Sequence, residues 1–177
     1  ASYAVSLFIN YWYPQSTGKS FNYNNDSEIT PAKWTFGIWS LIYLLIAYIV
    51  VLQAAGKIQL NDSEVIIFIL LCVLNATWIA GWFNNQTLIC IFILVGMAFS
   101  TFKLWSQTSN PVVKLTFAIY FGWVLSALIL NKNLFLRNDL GLKSDSMMLW
   151  GIVVPLLVFH SIYVFSAYKG MCPLTMA

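Results

Sequence analysis

The chain has 177 residues, of which 60% are hydrophobic and only 8% charged, and its mean hydropathy is +0.76. An ordinary soluble domain is about 25% charged, so a water-soluble fold is excluded and an all-α integral membrane protein is expected. The net charge of +3, from nine basic and six acidic residues, is too small and too dispersed for a nucleic-acid surface.

Residues 1–13 are apolar and aromatic but cover about half a membrane span. They read as the end of a first helix that starts before Ala1. No basic leader precedes them, so an intact signal peptide is not expected. Residues 14–33 form a polar loop marked by Gly18, a run of Asn and Pro31. Thr30 as cap and Pro31 in the first turn open a second span, residues 31–55, which ends at Gly56-Lys57. Asn61, Asp62, Ser63 and Glu64 then offer a cap with acids in the first turn, where the helix end is positive.

The third span covers residues 63–83, and Asn84-Asn85-Gln86 make a very short turn. The fourth covers residues 87–105 and carries Gly96, Ala98 and Ser100 as a stripe for close packing. The fifth covers residues 111–131. Residues 132–146 hold five of the fifteen charges and read as a solvated loop. A sixth span covers residues 147–168, with Pro155 as a kink. The expected organisation is a transmembrane bundle over residues 1–131, a polar loop over 132–146, and an additional span and tail over 147–177.

Five basic residues flank one side of these spans and four the other, so charge does not set the orientation. Sequons at Asn25, Asn61, Asn75 and Asn85 fall on opposite sides or inside a helix, as chance in an Asn-rich chain produces. Cys72, Cys90 and Cys172 show no CxxC spacing, and neither a metal site nor a disulfide framework is expected.

Three spans share one pattern. The second has Phe36, Trp39 and Tyr43; the third has Asn75, Trp78 and Trp82; the fifth has Tyr120, Trp123, Ala127 and Asn131. Steps of three and four place each set on one helix face. Trp and Tyr usually gather at the membrane interface, and several of these sit deeper. An amide or indole N–H there needs a partner, so the sets are expected to face inward. They either fill a core or wall a pocket for a flat apolar ligand.

No Asp, Glu or Arg lies at mid-membrane depth, which argues against proton relays and voltage sensors. Lys114 lies too near Pro111 to carry a retinal Schiff base. His160, the single histidine, has no second ligand at helical spacing and reads as a bonded bundle residue. No GxSxG occurs, and Asp139 and Asp145 are in a loop, so no hydrolytic triad is legible. Enzymatic activity stays open.

These residues resemble the TspO/MBR family, the translocator or tryptophan-rich sensory proteins. Its second-helix signature is similar to the stretch Pro31-Ala32-Lys33-Trp34-Thr35-Phe36-Gly37-Ile38-Trp39-Ser40-Leu41-Ile42-Tyr43. Leu74-Asn75-Ala76-Thr77-Trp78 with Trp82-Phe83 matches its third-helix signature. Trp123, Ala127 and Asn131 match its fifth, and Tyr11-Trp12 suits the end of its first. The likeness covers residues 1–131. It departs where Ile79-Ala80 replaces the family's proline after Trp78, and in lacking a convincing cholesterol-recognition stretch.

The resemblance implies a five-helix bundle, here with an incomplete first helix and an added sixth. It implies a cavity holding a flat hydrophobic molecule, a porphyrin or haem-type tetrapyrrole or a sterol. The ligand-binding residues it implies are Trp39, Tyr43, Asn75, Trp78, Trp82, Tyr120, Trp123, Ala127 and Asn131. It further implies a receptor- or transport-like role and a mitochondrial membrane in a eukaryote; the expected partners are the lipid bilayer and either a second copy of the chain, as a homodimer, or the subunits of a membrane complex. The competing expectation is an accessory subunit that uses the same fold as a scaffold within a larger membrane complex.

Overall fold

The computed structural model describes Tyr3, Ala4, Phe8, Trp12 and residues 33–141. The Thr30 cap, Pro31, the loop before them, and the sixth span with Pro155, His160 and Cys172 lie outside the described residues. So do the Asn25 sequon and most of the first span, although Tyr3, Ala4, Phe8 and Trp12 are each helical. The chain divides into two compact units, Ala1–Phe135 and Leu136–Ala177.

The described residues hold four helices long and apolar enough to cross a membrane and no strand. A 3-10 turn, Lys33–Gly37, leads into α1, Ile38–Ala54. Then follow α2, Asp62–Phe83, α3, Thr87–Gln107, and α4, Pro111–Asn138. These are the expected second to fifth spans. The opening of the second is wound more tightly than a continuous helix.

Local chemistry ends each helix. After α1, Gly56 takes φ +67; its N–H donates to Gln53 O at 3.0 Å and Lys57 N–H to Leu52 O at 2.9 Å. Asn85 plays the same part after α2 with φ +56, its N–H donating to Trp82 O at 3.1 Å and Gln86 N–H to Gly81 O at 3.0 Å. Both are left-handed C-caps, which Gly and Asn tolerate best. Asn61 opens α2 with a capping box: its Oδ1 accepts from Glu64 N–H at 2.9 Å, and its own N–H donates to Glu64 Oε2 at 2.8 Å. Asn110 opens α4, its Oδ1 accepting from Val112 and Val113 N–H at 3.0 and 3.3 Å, with Pro111 in the first position.

Each helix buries one stripe. In α1 it is Ile42, Ile46 and Ile49; in α3 it is Cys90, Leu94, Met97, Thr101 and Leu104. The opposite faces expose Leu44, Tyr48, Val51, Phe92, Val95 and Phe99, as lipid-facing helices do. Hydroxyls within the spans turn back on their own helix. Ser100 and Thr101 donate to Gly96 O and Met97 O, both at 2.8 Å, and Thr116 to Val112 O at 2.8 Å. In hydrocarbon no water is present to take these donors, so the helix itself must.

Lipid gives little hydrophobic drive for helix association, so close contact matters. A Cβ at Gly96 would meet Leu74 Cδ1 at 3.2 Å, and one at Gly81 would meet Cys90 Sγ at 3.0 Å. The first contact was expected from the small-residue stripe; the second was not. Glycine lets α2 and α3 approach at both places.

α4 continues through Lys132, where composition indicates a loop over residues 132–146. It reaches Asn138 because Leu134, Phe135 and Leu136 keep the apolar helical period between the charges, and Leu134 is buried. Of the second unit only residues 136–141 are described: the end of α4, then Gly141 at φ +62.

Replacing Gly81 by Val should lower stability by about 1–3 kcal/mol through overpacking, and Cys90→Ala should recover part of the loss. Gly122→Ala, where a Cβ meets nothing within 4 Å, should not destabilise. Asn61→Ala should cost about 1 kcal/mol through the lost cap. Unfolding of the purified variants in one detergent measures all of these.

Candidate functional site: an aromatic hollow between the spans

The three matched faces do meet, and Trp39 is where they meet. Its ring centroid lies 5.5 Å from Tyr43, 5.6 Å from Trp78, 5.7 Å from Tyr120 and 6.0 Å from Trp123. The Tyr120 and Trp123 rings stand edge-on to it at 80° and 87°, the favoured arrangement for aromatic quadrupoles. The 3-10 turn contributes as well. Side chains three apart eclipse in such a turn, and Phe36 comes onto Trp123 edge-on at 6.0 Å.

On one side of Trp39 the set closes into a knot. Tyr43 O–H donates to Asn75 Oδ1 at 3.3 Å, and Asn75 Nδ2 donates to Tyr120 Oη at 3.1 Å. The Tyr3 hydroxyl donates to the Tyr43 backbone carbonyl. The remaining space beside Cys72, Phe68 and Leu71 is about 10 Å³, room for at most one water. Tyr43, Asn75 and Tyr120 therefore act as packed and bonded core.

On the other side the set opens. A cavity of about 270 Å³ is lined by Thr35 and Phe36 of the 3-10 turn, Trp78 and Trp82 of α2, and Trp123, Ser126, Ala127, Ile129, Leu130 and Asn131 of α4. Trp78 and Trp82 lie 5.4 Å apart along one wall. Among the described residues none of those lining it is charged. Small-molecule sites run from about 300 to 1,000 Å³, so this one lies at the small end and has room for part of a large flat guest.

Three polar atoms in this wall lack partners: Trp78 Nε1, Trp123 Nε1 and Asn131 Oδ1. Asn131 Nδ2 donates to Ala127 O at 2.8 Å. That bond fixes which way the amide faces, since an oxygen there would oppose the carbonyl. A buried unsatisfied polar group costs about 1–3 kcal/mol. Among the described residues no three His, Cys, Asp or Glu side chains gather to hold a metal ion. The chemistry the hollow offers is ring stacking and hydrogen bonding.

Of the nine expected site residues, Trp78, Trp82, Trp123, Ala127 and Asn131 line the cavity. Trp39 packs behind it, and Tyr43, Asn75 and Tyr120 belong to the knot. Thr35, Ser126, Ile129 and Leu130 were not anticipated as lining. The signal for two of them was present: Ser126 and Leu130 follow Trp123 at steps of three and four.

No curated protein and no solved structure gives a match. A family described as TSPO-like protein matches residues 1–175, nearly the whole chain. With its apolar spans, that match makes this an integral membrane protein of the TSPO-like family.

Proposed function

We propose that the protein binds a flat, largely apolar molecule in the hollow between the 3-10 turn, α2 and α4. The molecule would be of the tetrapyrrole or sterol kind that family resemblance suggests, and the role receptor- or transport-like. The observation that carries this reading is the uncharged hollow itself, walled by the indoles of Trp78, Trp82 and Trp123 among the described residues. A closely packed core of rings leaves no such space. Aromatic faces supply stacking, and a few polar groups fix orientation.

The scaffold reading has one observation of its own. α3 contributes nothing to the cavity wall, and its exposed face presents Leu88, Phe92, Val95, Phe99 and Phe102. In that reading this face meets a neighbouring subunit of a larger complex. A mitochondrial membrane is part of the same proposal for either role.

Titrating the purified full chain with protoporphyrin IX, and separately with a fluorescent sterol, tests the binding reading. Tryptophan fluorescence should be quenched saturably by at least one of them. Trp123→Phe keeps a ring but loses the N–H, and should weaken that binding roughly 2- to 12-fold, as one hydrogen bond of about 0.5–1.5 kcal/mol implies. Unsaturable quenching unchanged by the substitution, with other membrane subunits co-purifying at fixed stoichiometry, would favour the scaffold.

A further inference from the structure

We infer that the guest enters the hollow sideways from the acyl-chain layer, through an opening between the 3-10 turn and α4 beside Ser126, and that Phe36 is the leaf that closes it. This rests on the binding reading above and adds a route to it. Three observations carry it. The first is a gradient of burial around the lining. Trp78, Trp82, Ala127 and Asn131 are 7% exposed or less. Thr35, Phe36, Trp123, Ile129 and Leu130 are half-buried, and Ser126 is exposed. The wall therefore runs from the bundle interior out to the surface of α4, and Ser126 marks where it surfaces. The side chains there are small. Ser126 folds its hydroxyl back onto Gly122 O at 3.0 Å, and a Cβ on Gly122 would meet nothing within 4 Å.

The second observation is depth. At a rise of about 1.5 Å per residue, Ser126 lies about 22 Å along α4 from Pro111 and about 9 Å short of Lys132. The hydrocarbon core is about 30 Å thick, and α4 carries no charge between Lys114 and Lys132. An opening at Ser126 therefore faces acyl chains and not water. An apolar guest is already concentrated there and gives up no favourable burial on the way in. The third observation is the construction of the wall. Thr35 and Phe36 belong to a five-residue 3-10 turn, whereas the other lining residues belong to α2 and α4. Hydrogen bonds in such a turn are poorer than in an α-helix. The turn runs into α1 at Gly37 with no side-chain cap, and a Cβ on Gly37 would meet nothing within 4 Å. It touches α4 through the edge-on contact of Phe36 with Trp123 at 6.0 Å. Rewinding the turn as α-helix shortens it by about 2.5 Å and moves the Phe36 ring relative to Trp123. The turn is therefore the movable wall, and Phe36 is its gating side chain.

The test follows exchange at equilibrium. 1-(Trifluoromethyl)pyrene is dissolved in nanodiscs that hold the full chain. Fluorine saturation transfer between its lipid-dissolved and bound signals gives the entry and exit rates. Ser126→Phe fills the opening. It should slow entry and exit by one common factor of about 5 or more, the lower end of what crowding a filled space costs, and leave the affinity unchanged. Val95→Phe, on the exposed face of α3 and away from the lining, should change neither rate. Phe36→Leu should speed entry and exit together by roughly 2- to 12-fold, the worth of one edge-on ring pair, and it carries the test alone where Ser126→Phe does not fold. If Ser126→Phe leaves both rates alone, or changes affinity without slowing entry, the guest does not pass there and the inference is overturned. It is also overturned if Phe36→Leu speeds exit alone, as loss of a mere wall contact would. Saturable binding of the probe in either event leaves the binding reading standing. If no bound signal saturates for this probe the inference falls, and if protoporphyrin and the fluorescent sterol fail as well the binding reading falls with it.

Discussion

One amide in hydrocarbon constrains this bundle. Asn75 lies a little past the middle of α2 and is 1% exposed, where an unmet polar group costs several kcal/mol. It is met from two sides, by Tyr43 of α1 and Tyr120 of α4. The three helices are thereby tied at one level. A single interhelical hydrogen bond in a membrane is worth only about 0.6 kcal/mol on average, so the tie sets register more than it supplies stability. Stability comes from close packing: glycine at Gly81 and Gly96 against Cys90 and Leu74, and stacked rings around Trp39.

With register set at Asn75, the rest of each face follows by helical geometry. One turn further along α2 comes Trp78, and another turn brings Trp82. On α4 the same steps from Tyr120 bring Trp123, then Ala127, then Asn131. The two helices carry unequal volumes at this level. Large indoles on α2 face Ala127 and Ser126 on α4, and the 3-10 turn places Thr35 and Phe36 beside them. Small residues opposite large flat ones leave a slot. Trp39 therefore stands between a side closed by Tyr43, Asn75 and Tyr120 and a side opened by Trp78, Trp82 and Trp123.

Much of this was readable in the residues. Steps of three and four identified the inward faces, because a helix repeats every 3.6 residues whatever surrounds it. The cap at Asn61 and the close approach at Gly96 followed from short-range rules. The division of the aromatic set did not. Whether Tyr120 bonds to Asn75 or lines a void depends on which rungs of two separate helices stand level, and no single span encodes that. The length of α4 was hidden for another reason. Charges at Lys132 and Arg137 look like a loop in composition, whereas Leu134 and Phe135 between them keep the helical period. The Gly81–Cys90 contact was hidden because its partner is a cysteine on the next helix, and no rule within one span names that partner.

The central claim is that tryptophans from separate spans face one ligand-accessible hollow while other buried tryptophans do not. Trp105 is the internal control: its Nε1 is also buried and unpartnered, but its ring packs with Phe102 and Phe121 away from the cavity lining. Fluorine NMR of the full chain labelled with 5-fluorotryptophan, assigned by single Trp→Phe changes and titrated with a flat apolar probe, reads each ring separately. The account predicts saturable shifts at Trp78, Trp82 and Trp123 with Trp105 unmoved. Equal shifts at all four, or none at the first three at probe saturation of the bilayer, would contradict it.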